Sequence, residues 1–193
     1  MRIGVVASGS SKSAMGRQGD VIREARPSDV DAIVRVHIES TEDAYAPLAR
    51  VWPAPDWNAK RAHWTACLSE TKKGMNRVGL VADVNVSVVA FVVAGPARQR
   101  ECGGDCEIYV IHVLPQCRGA GFGGRLWNEV CKRIRGEDLR SMYVATLGEL
   151  RCCSFYEARG GKIASRGPRI FYGAEVTEVV YVWPTGASSE NRT

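Results

Sequence analysis

Residues 113–127 read VLPQCRGAGFGGRLW, and this stretch sets the organisation of the chain around it. The run before it, EIYVIHVLP, has the composition of a β-strand, and the run after it, RLWNEVCKRI, is typical of a helix. Glycines at positions 119, 121, 123 and 124 lie between the two runs. Glycine lets backbone N–H groups approach a ligand, and a helix N-terminus has unpaired N–H donors. We therefore ask whether this loop binds a phosphate.

A dinucleotide-binding loop is one alternative. Gly119, Gly121 and Gly124 satisfy its spacing, G-x-G-x-x-G. Such a loop follows the first strand of a parallel unit and requires an acidic residue at the end of the second strand. Here the loop comes after residue 110, and Glu137 and Asp138 precede the next strand. The spacing therefore favours this alternative only weakly.

A nucleotide P-loop is the second alternative, and it requires Lys followed by Ser or Thr after the last glycine. This chain has Arg125 and Leu126 there. The third is a pyrophosphate cradle of another kind, built from backbone N–H groups, a helix N-terminus and the fixed charge of Arg118. The sequence favours this cradle, and a plain glycine turn is the structural alternative.

Composition limits the classes of function that fit the chain. Its 193 residues suit one domain, and 45% hydrophobic with 24% charged residues is an ordinary globular composition. The net charge is +5 without a run of five Lys or Arg residues, so we expect no nucleic-acid partner. Seven cysteines, an odd number, indicate reduced thiols in a cytoplasmic protein. Cys102 and Cys106 form an isolated pair near His112, so we expect no metal site.

The two ends of the chain are rich in small polar residues. We expect residues 1–20 to be a disordered leader, 21–184 to be one folded domain and 185–193 to be a flexible tail. The apolar run at residues 3–7 is shorter than a secretory signal requires. No window reaches the roughly 18 apolar residues of a membrane span, so we expect no membrane partner.

The patterns between the two ends predict the element order β-α-α-β-β-β-α-β-α-β-β. Apolar residues at i, i+3, i+4 and i+8 predict the first helix, after Pro27 has ended a short strand. RVGLVADV, SVVAFVVAG and EIYVIHVLP are joined by short links, so we expect antiparallel neighbours. A β-α-β crossover then follows through the glycine loop. The prediction is an α+β fold with a mixed, mostly antiparallel central sheet flanked by helices.

The stretch VLPQCRGAGFGGRLW resembles the acetyl-CoA loop of the GNAT superfamily of N-acetyltransferases. The signature of that loop is Gln/Arg-x-x-Gly-x-Gly/Ala, which Arg118, Gly121 and Gly123 match, and Val113 with Pro115 resembles the family's Val-x-Pro. IREARPSDVDAIVRVH is similar to the family's first strand and helix, LRCCSFYEARGGK to a later helix motif and FYGAEVTEVVYVW to its closing strand. The resemblance implies the GNAT fold and acetyl-CoA as co-substrate.

The resemblance also implies a reaction and its partners. Acetyl would move from acetyl-CoA to a primary amine by direct attack in a ternary complex. The acceptor, a small molecule or a peptide, is not identified by the sequence, and homodimers are common in proteins that this chain resembles. A catalytically silent acyl-CoA-binding sensor on the same fold is the alternative function.

The family's cofactor-binding positions can be carried over residue by residue. Pantetheine would lie between the fourth and fifth strands, with the N–H of Val113 or a neighbour directed at the thioester oxygen. Glu149 replaces an Asn that often bonds near the pantetheine arm, and a carboxylate accepts but cannot donate a hydrogen bond. The residues that would hold the pyrophosphate are Arg118, Gly119, Ala120, Gly121, Phe122, Gly123 and Gly124.

Two residues are predicted to be catalytic. Tyr156 matches the tyrosine that lies by the thiolate in many family members and would be the general acid, with a core tyrosine as the alternative. Glu107 would be the general base, directly or through water, with a pKa raised by burial; an exposed strand-edge acid is the alternative. Strict alternation places His112, predicted to be a core histidine, on the face opposite to Glu107, Tyr109, Ile111 and Val113.

Two aromatic loops are predicted to select the acceptor, although the same residues could simply pack as a lid. The first lies between the first two helices and contains Tyr45, Trp52 and Trp57. The second precedes the last strand and contains Phe171 and Tyr172. Glu42 and Asp43 are predicted to attract a protonated amine.

Overall fold

A computed structural model describes residues 20–46, 53–71, 77–99, 104–135 and 141–184. The predicted leader, apart from Asp20, and the predicted tail lie outside these residues. Trp52, Cys102, Glu137 and Asp138 also lie outside them. Within the described part of the chain, no helix has the length and apolar character needed to cross a membrane.

The strands and helices follow one another in the predicted order. Those before the glycine loop are β1 (Asp20–Glu24), α1 (Val30–Tyr45), α2 (Trp57–Thr71), β2 (Val78–Val84), β3 (Ser87–Pro96) and β4 (Cys106–Val113). Those after it are α3 (Phe122–Arg135), β5 (Ser141–Leu147), α4 (Cys153–Glu157), β6 (Lys162–Phe171) and β7 (Ala174–Pro184).

The strands form one mixed sheet. In the described residues it has seven strands in the order β1-β2-β3-β4-β5-β7-β6. Every neighbouring pair is antiparallel except β4 and β5, which are parallel and are linked by the crossover through α3. The predicted α+β fold, with a mostly antiparallel sheet flanked by helices, is confirmed.

β6 is longer than the sequence pattern predicts. The pattern indicates a strand that ends at Arg166, but β6 continues to Phe171 and pairs with β7 over this length. Pro168 has no N–H to donate to a strand ladder. β6 is the edge strand of the sheet, so the missing N–H at Pro168 interrupts no pairing on its outer side.

A β-bulge in β4 reverses the predicted faces of that strand. Val93 pairs with Val110 and Ala94 pairs with Ile108, so Tyr109 is an extra residue with no opposite partner. The bulge makes Glu107 and His112 share one face of the sheet, whereas Val113 lies on the other face. The prediction that His112 lies opposite Glu107 was therefore wrong, because the bulge shifts the alternation by one residue.

β4 and β5 separate soon after they meet. Their ladder contains only the pairs Cys106–Met142 and Glu107–Tyr143, although β4 continues to Val113 and β5 to Leu147. We call the gap that opens beyond Glu107 and Tyr143 the wedge. It leaves strand edges without a ladder partner inside the sheet, at the end where the glycine loop begins.

Two layers of helices cover the sheet. On one face, Trp64 of α2 and His37 of α1 contact Phe91, with ring centroids 5.0 and 6.4 Å from it. On the other face, the first turn of α3 lies against Val113. There the aromatic core consists of Trp127, Phe155, Tyr156, Tyr181 and Trp183.

Candidate functional site

The glycine loop presents unpaired backbone donors at its helix start. Gly119 and Gly121 have φ angles of 77° and 85°, a left-handed conformation that glycine adopts without steric cost. The first bond of the helical ladder runs from the Arg125 N–H to the Gly121 carbonyl. In the described residues, no acceptor is bonded to the N–H groups of residues 119–124. These donors and the positive end of the α3 dipole form a site for an anion.

The first turn of α3 packs closely on α4. A Cβ atom at Gly123 would lie 3.1 Å from the Phe155 ring, and one at Gly124 would lie 2.8 Å from Nη2 of Arg159. The Arg159 guanidinium is stacked on the Phe155 ring, 3.5 Å from its centroid, and donates a 3.0 Å bond to the Phe155 carbonyl. It forms no ion pair within the described ranges, so its charge is available beside the loop.

Arg159 was missed in the sequence because nothing in the loop motif refers to it. It lies 35 positions beyond Gly124, and only the packing of α4 on α3 brings the two together. Burial lowers the pKa of its guanidinium, which remains a cation because arginine is not deprotonated in proteins.

Arg118 and Asp43 form an ion pair, so neither is a free charge. The Arg118 guanidinium also donates a 3.3 Å bond to the carbonyl of Ser40 in α1. The pairing leaves Asp43 less suited to attract an amine, as predicted for it, and makes Arg118 a link between the loop and α1. The Arg118 side chain is 41% exposed, so a further anion can approach it.

Val113 directs its backbone polar groups into the wedge. The Leu114 N–H donates to the Val89 carbonyl at 2.9 Å. Hydrogen-bonded and non-hydrogen-bonded pairs alternate along an antiparallel ladder, so the next pair, Val113–Ala90, is a non-hydrogen-bonded pair. Its N–H and C=O groups therefore point away from β3, and so do those of Ile111. The Val113 carbonyl accepts a 3.0 Å bond from Ser40 Oγ.

Tyr156 is a buried phenol on α4. It is 6% exposed, and its hydroxyl forms no hydrogen bond to any part of the chain that the structure describes. Burial raises the pKa of Tyr156 well above its usual value, and the nearby Cys152 and Tyr45 act in the same direction. The group therefore stays a neutral phenol at physiological pH and can donate a proton.

Glu107 lies at the closed end of the wedge with its carboxylate fully engaged. Arg98 forms a bidentate ion pair with it, and the Tyr143 hydroxyl donates to Oε2 at 2.6 Å. Burial alone would raise the pKa of Glu107, but the bonds from Arg98 and Tyr143 outweigh burial and lower it. The expected raised pKa was wrong, because a carboxylate with charged and hydroxyl donors is stabilised in its ionised form.

Glu149 already accepts a hydrogen bond within the chain. Its Oε1 accepts a 3.0 Å bond from the Thr177 N–H of β7, and its side chain is exposed. Its slight burial acts to raise the pKa, but the bond from Thr177 outweighs this effect and lowers it. This carboxylate ties the turn after β5 to β7.

A cavity of about 320 Å³ lies on the α1–α2 side of the sheet. Its walls come from α1, residues 53–56, the first turn of α2 and the turn after β6. Of the residues predicted to select an acceptor, Glu42 and Tyr172 line it. Trp57 is half exposed, and Tyr45 stacks on Phe171 with centroids 5.7 Å apart.

Six cysteines in the described residues are free thiols. No group of three His, Cys, Asp or Glu side chains in these residues is arranged to hold a metal ion. Burial lowers the pKa of His37 to about 3 and that of His112 to about 4, so both imidazoles are neutral.

Comparisons with known proteins identify relatives of this chain. An uncharacterized N-acetyltransferase, YuaI, from Bacillus subtilis (strain 168) is 26% identical over 165 residues, covering 84% of this chain and 92% of the relative. The crystal structure of an N-acetyltransferase from Staphylococcus aureus Mu50 has a TM-score of 0.69 at 17% identity, over 87% of this chain and 99% of that one.

A third similar protein has a ligand. The structure of yncA from Salmonella typhimurium with its cofactor acetyl-CoA has a TM-score of 0.67 at 17% identity, over 89% of this chain and 97% of that one. The model of the Acetyltransferase (GNAT) family matches residues 38–161, which is more than half of the sequence. The resemblance of the glycine loop is thereby confirmed, and the chain belongs to the GNAT acetyltransferase family.

Proposed function

We propose that this protein transfers the acetyl group of acetyl-CoA to a primary amine. The observation that supports this most directly is the combination of unpaired loop donors, the wedge and an unbonded buried phenol at one end of the sheet. Each presents polar groups or strand edges that the described residues leave without a partner, so a ligand can bind them.

Each part of acetyl-CoA would bind a different feature of the site. The pyrophosphate would bind the N–H groups of residues 119–124, with Arg159 and the exposed side of Arg118 as fixed charges. The pantetheine arm would lie in the wedge, where its amide groups can pair with the backbone of Ile111 and Val113. An N–H group of β4 would then stabilise the oxyanion.

The chemistry follows from these positions. The lone pair of the neutral amine attacks the thioester carbonyl carbon, the C–N bond forms, and the carbonyl electron pair moves to oxygen. The intermediate collapses as the C–S bond breaks, and the thiolate takes a proton from the Tyr156 hydroxyl. The new amide nitrogen releases its surplus proton, and the phenolate regains one, so that acetyl amide and CoA thiol are the products.

In this proposal, Glu107 is not the general base that the sequence predicted. Its low pKa and its bonds from Arg98 and Tyr143 make it a weak base, so we propose that it holds the closed end of the wedge in position. Because Glu107 then does not take the proton of the amine, the amine must lose it to solvent and bind in its neutral form.

Two measurements test the function. Calorimetry should show micromolar acetyl-CoA binding, no NADH binding, and loss of binding in Gly121→Glu, whose carboxylate would oppose the pyrophosphate. Incubation with acetyl-CoA and a panel of amines should release free thiol. Absence of acetyl-CoA binding would contradict the proposal. Binding without thiol release from any amine would indicate the acyl-CoA sensor instead.

A further inference from the structure

The cavity on the α1–α2 side has charged groups of both signs in its walls. It is lined by His37, Thr41, Glu42, Asp56, Lys60 and Tyr172, together with apolar segments. Its volume of about 320 Å³ lies at the lower end of the range for small-molecule clefts, about 300–1,000 Å³. This size suits a small amine such as an amino acid.

Lys60 is the cation of this cavity. Its side chain is partly buried in the first turn of α2, and no acceptor or carboxylate in the described parts of the chain is bonded to its ammonium group. His37 lines the same cavity as Lys60. Burial lowers the pKa of Lys60, and it also lowers the pKa of His37 and His112, with the charge of Lys60 acting in the same direction on both imidazoles.

The two carboxylates of the cavity differ in availability. Oδ1 of Asp56 accepts a 2.9 Å bond from the Ala59 N–H and so caps α2. Glu42 is exposed and has no partner in the described residues. His37 is neutral, so the wall presents one free carboxylate, one capping carboxylate and one ammonium.

These charges point to a class of acceptor, an inference that rests on the proposed function. We propose that the cavity binds the acceptor, and that the acceptor is a small amine that also has an acidic group, such as a carboxylate or phosphonate, which Lys60 binds. Glu42 attracts the ammonium end of the same molecule before it loses its proton.

Other acceptors fit these charges less well. A diamine would place a second cation near Lys60, and a like charge in a partly buried site disfavours binding. The N-terminus of a peptide has an amide in place of the carboxylate, so it would leave the Lys60 ammonium uncompensated. The cavity therefore favours an acceptor with an acidic group, because other acceptors would leave the Lys60 ammonium unpaired.

The test uses matched acceptors and matched variants. Free amino acids and aminophosphonates are each compared with the corresponding primary amide and with the amine that lacks the acidic group. The variants are Lys60→Met and Lys162→Met. Lys162 is exposed and lies at the opposite end of β6 from Tyr172, about 30 Å away along the strand. Thiol release at saturating acetyl-CoA gives KM and kcat, and ligand-observed NMR with CoA present gives binding.

We expect at least one acid to have a KM about tenfold lower than its amide, and Lys60→Met to remove this preference with kcat nearly unchanged. Lys162→Met should keep the preference. The inference is overturned if every amide or simple amine is used as well as its acid, if Lys60→Met keeps the preference, or if no member of the panel binds. Calorimetry of acetyl-CoA on the same samples separates this inference from the proposed function. If acetyl-CoA binds and simple amines are acetylated as well as acids, this inference is refuted while the proposed function stands.

Discussion

Tyr156 illustrates how one buried residue can be prepared for a proton transfer. Its hydroxyl lies among aromatic rings and Cys152, and it has no hydrogen-bond partner in the described residues. Tyr181, whose ring centroid is 5.7 Å away, instead donates its hydroxyl to Glu157 at 2.9 Å. The two phenols therefore differ in what their hydroxyl groups can do.

Tyr156→Phe should lower kcat by about 10²–10⁴ because it removes the acid that protonates the thiolate. Acetyl-CoA affinity and the free energy of unfolding should change little. The raised pKa means that the phenol stays protonated as pH rises through neutrality, so Tyr156 should cause no loss of activity there. Steady-state kinetics with calorimetry on the same samples would measure both effects.

Tyr181→Phe is the matched control, because it removes a neighbouring buried hydroxyl that already has a partner. It should reduce stability by about 1 kcal/mol and leave kcat within a few fold. Equal losses of kcat in the two variants would show that Tyr156 acts only through packing.

Glu107→Gln should affect stability more than chemistry. Replacing the carboxylate weakens its bonds with Arg98 and Tyr143, which for charged hydrogen bonds amounts to about 1.5–3 kcal/mol. The folded-state pKa of Glu107 lies below its usual value of 4.5. Its stabilising effect is therefore complete above pH 4.5 and is lost as pH falls through the folded-state pKa.

Chemical denaturation between pH 3 and 8 checks this expectation. The difference in unfolding free energy between wild type and Glu107→Gln should be constant at neutral pH and shrink in acid. A loss of kcat of about a hundredfold or more at unchanged stability would instead support the predicted general base.

In the glycine loop, the backbone conformation of Gly121 limits substitution more than the space around it does. Gly121 and Gly173 have nearly the same φ angle, 85° and 82°, and a Cβ at either would meet no atom within 4 Å. Alanine at either position should therefore cost about 1–2 kcal/mol of strain without a clash. Only Gly121 lies in the loop that would hold the pyrophosphate.

Gly121→Ala should weaken acetyl-CoA binding by about tenfold or more, because strain moves the N–H donors away from the anion. Gly173→Ala should destabilise the protein to a similar extent and leave binding unchanged. Thermal unfolding and calorimetry of the two variants give these values, and equal binding losses would mean that stability alone explains the effect.

The contact between α3 and α4 gives a second element-scale prediction. Arg159→Met should raise the Kd for acetyl-CoA about tenfold and make binding less sensitive to salt, because a cation beside the loop is lost. Arg133→Met is the control on α3, since Arg133 is paired with Glu129 and Glu24. If the control weakens binding as much as Arg159→Met does, a general change in charge is responsible.

At the scale of the whole molecule, the order of elements could be predicted because it depends on local patterns. Glycine and proline marked the ends, and apolar spacing marked α1 and the central strands. The glycine loop between β4 and α3 could be predicted from a motif with fixed spacing, and the catalytic role of Tyr156 stays a prediction from the same family resemblance. The bulge at Tyr109 could not, since it depends on the partner strand β3. Arg159 and the pairing of Arg118 with Asp43 also depend on distant contacts.

The wedge divides the sheet into two parts whose β4–β5 ladder consists of two residue pairs at its closed end. A co-substrate in the wedge would connect the β1–β4 part to the β5-β7-β6 part. Hydrogen–deuterium exchange should then follow an every-other-residue pattern along β4. The amides of His112 and Leu114 face β3 and should exchange slowly at all times. Those of Ile111 and Val113 should exchange fast in the free protein and slowly once acetyl-CoA binds, so that the substrate completes the sheet.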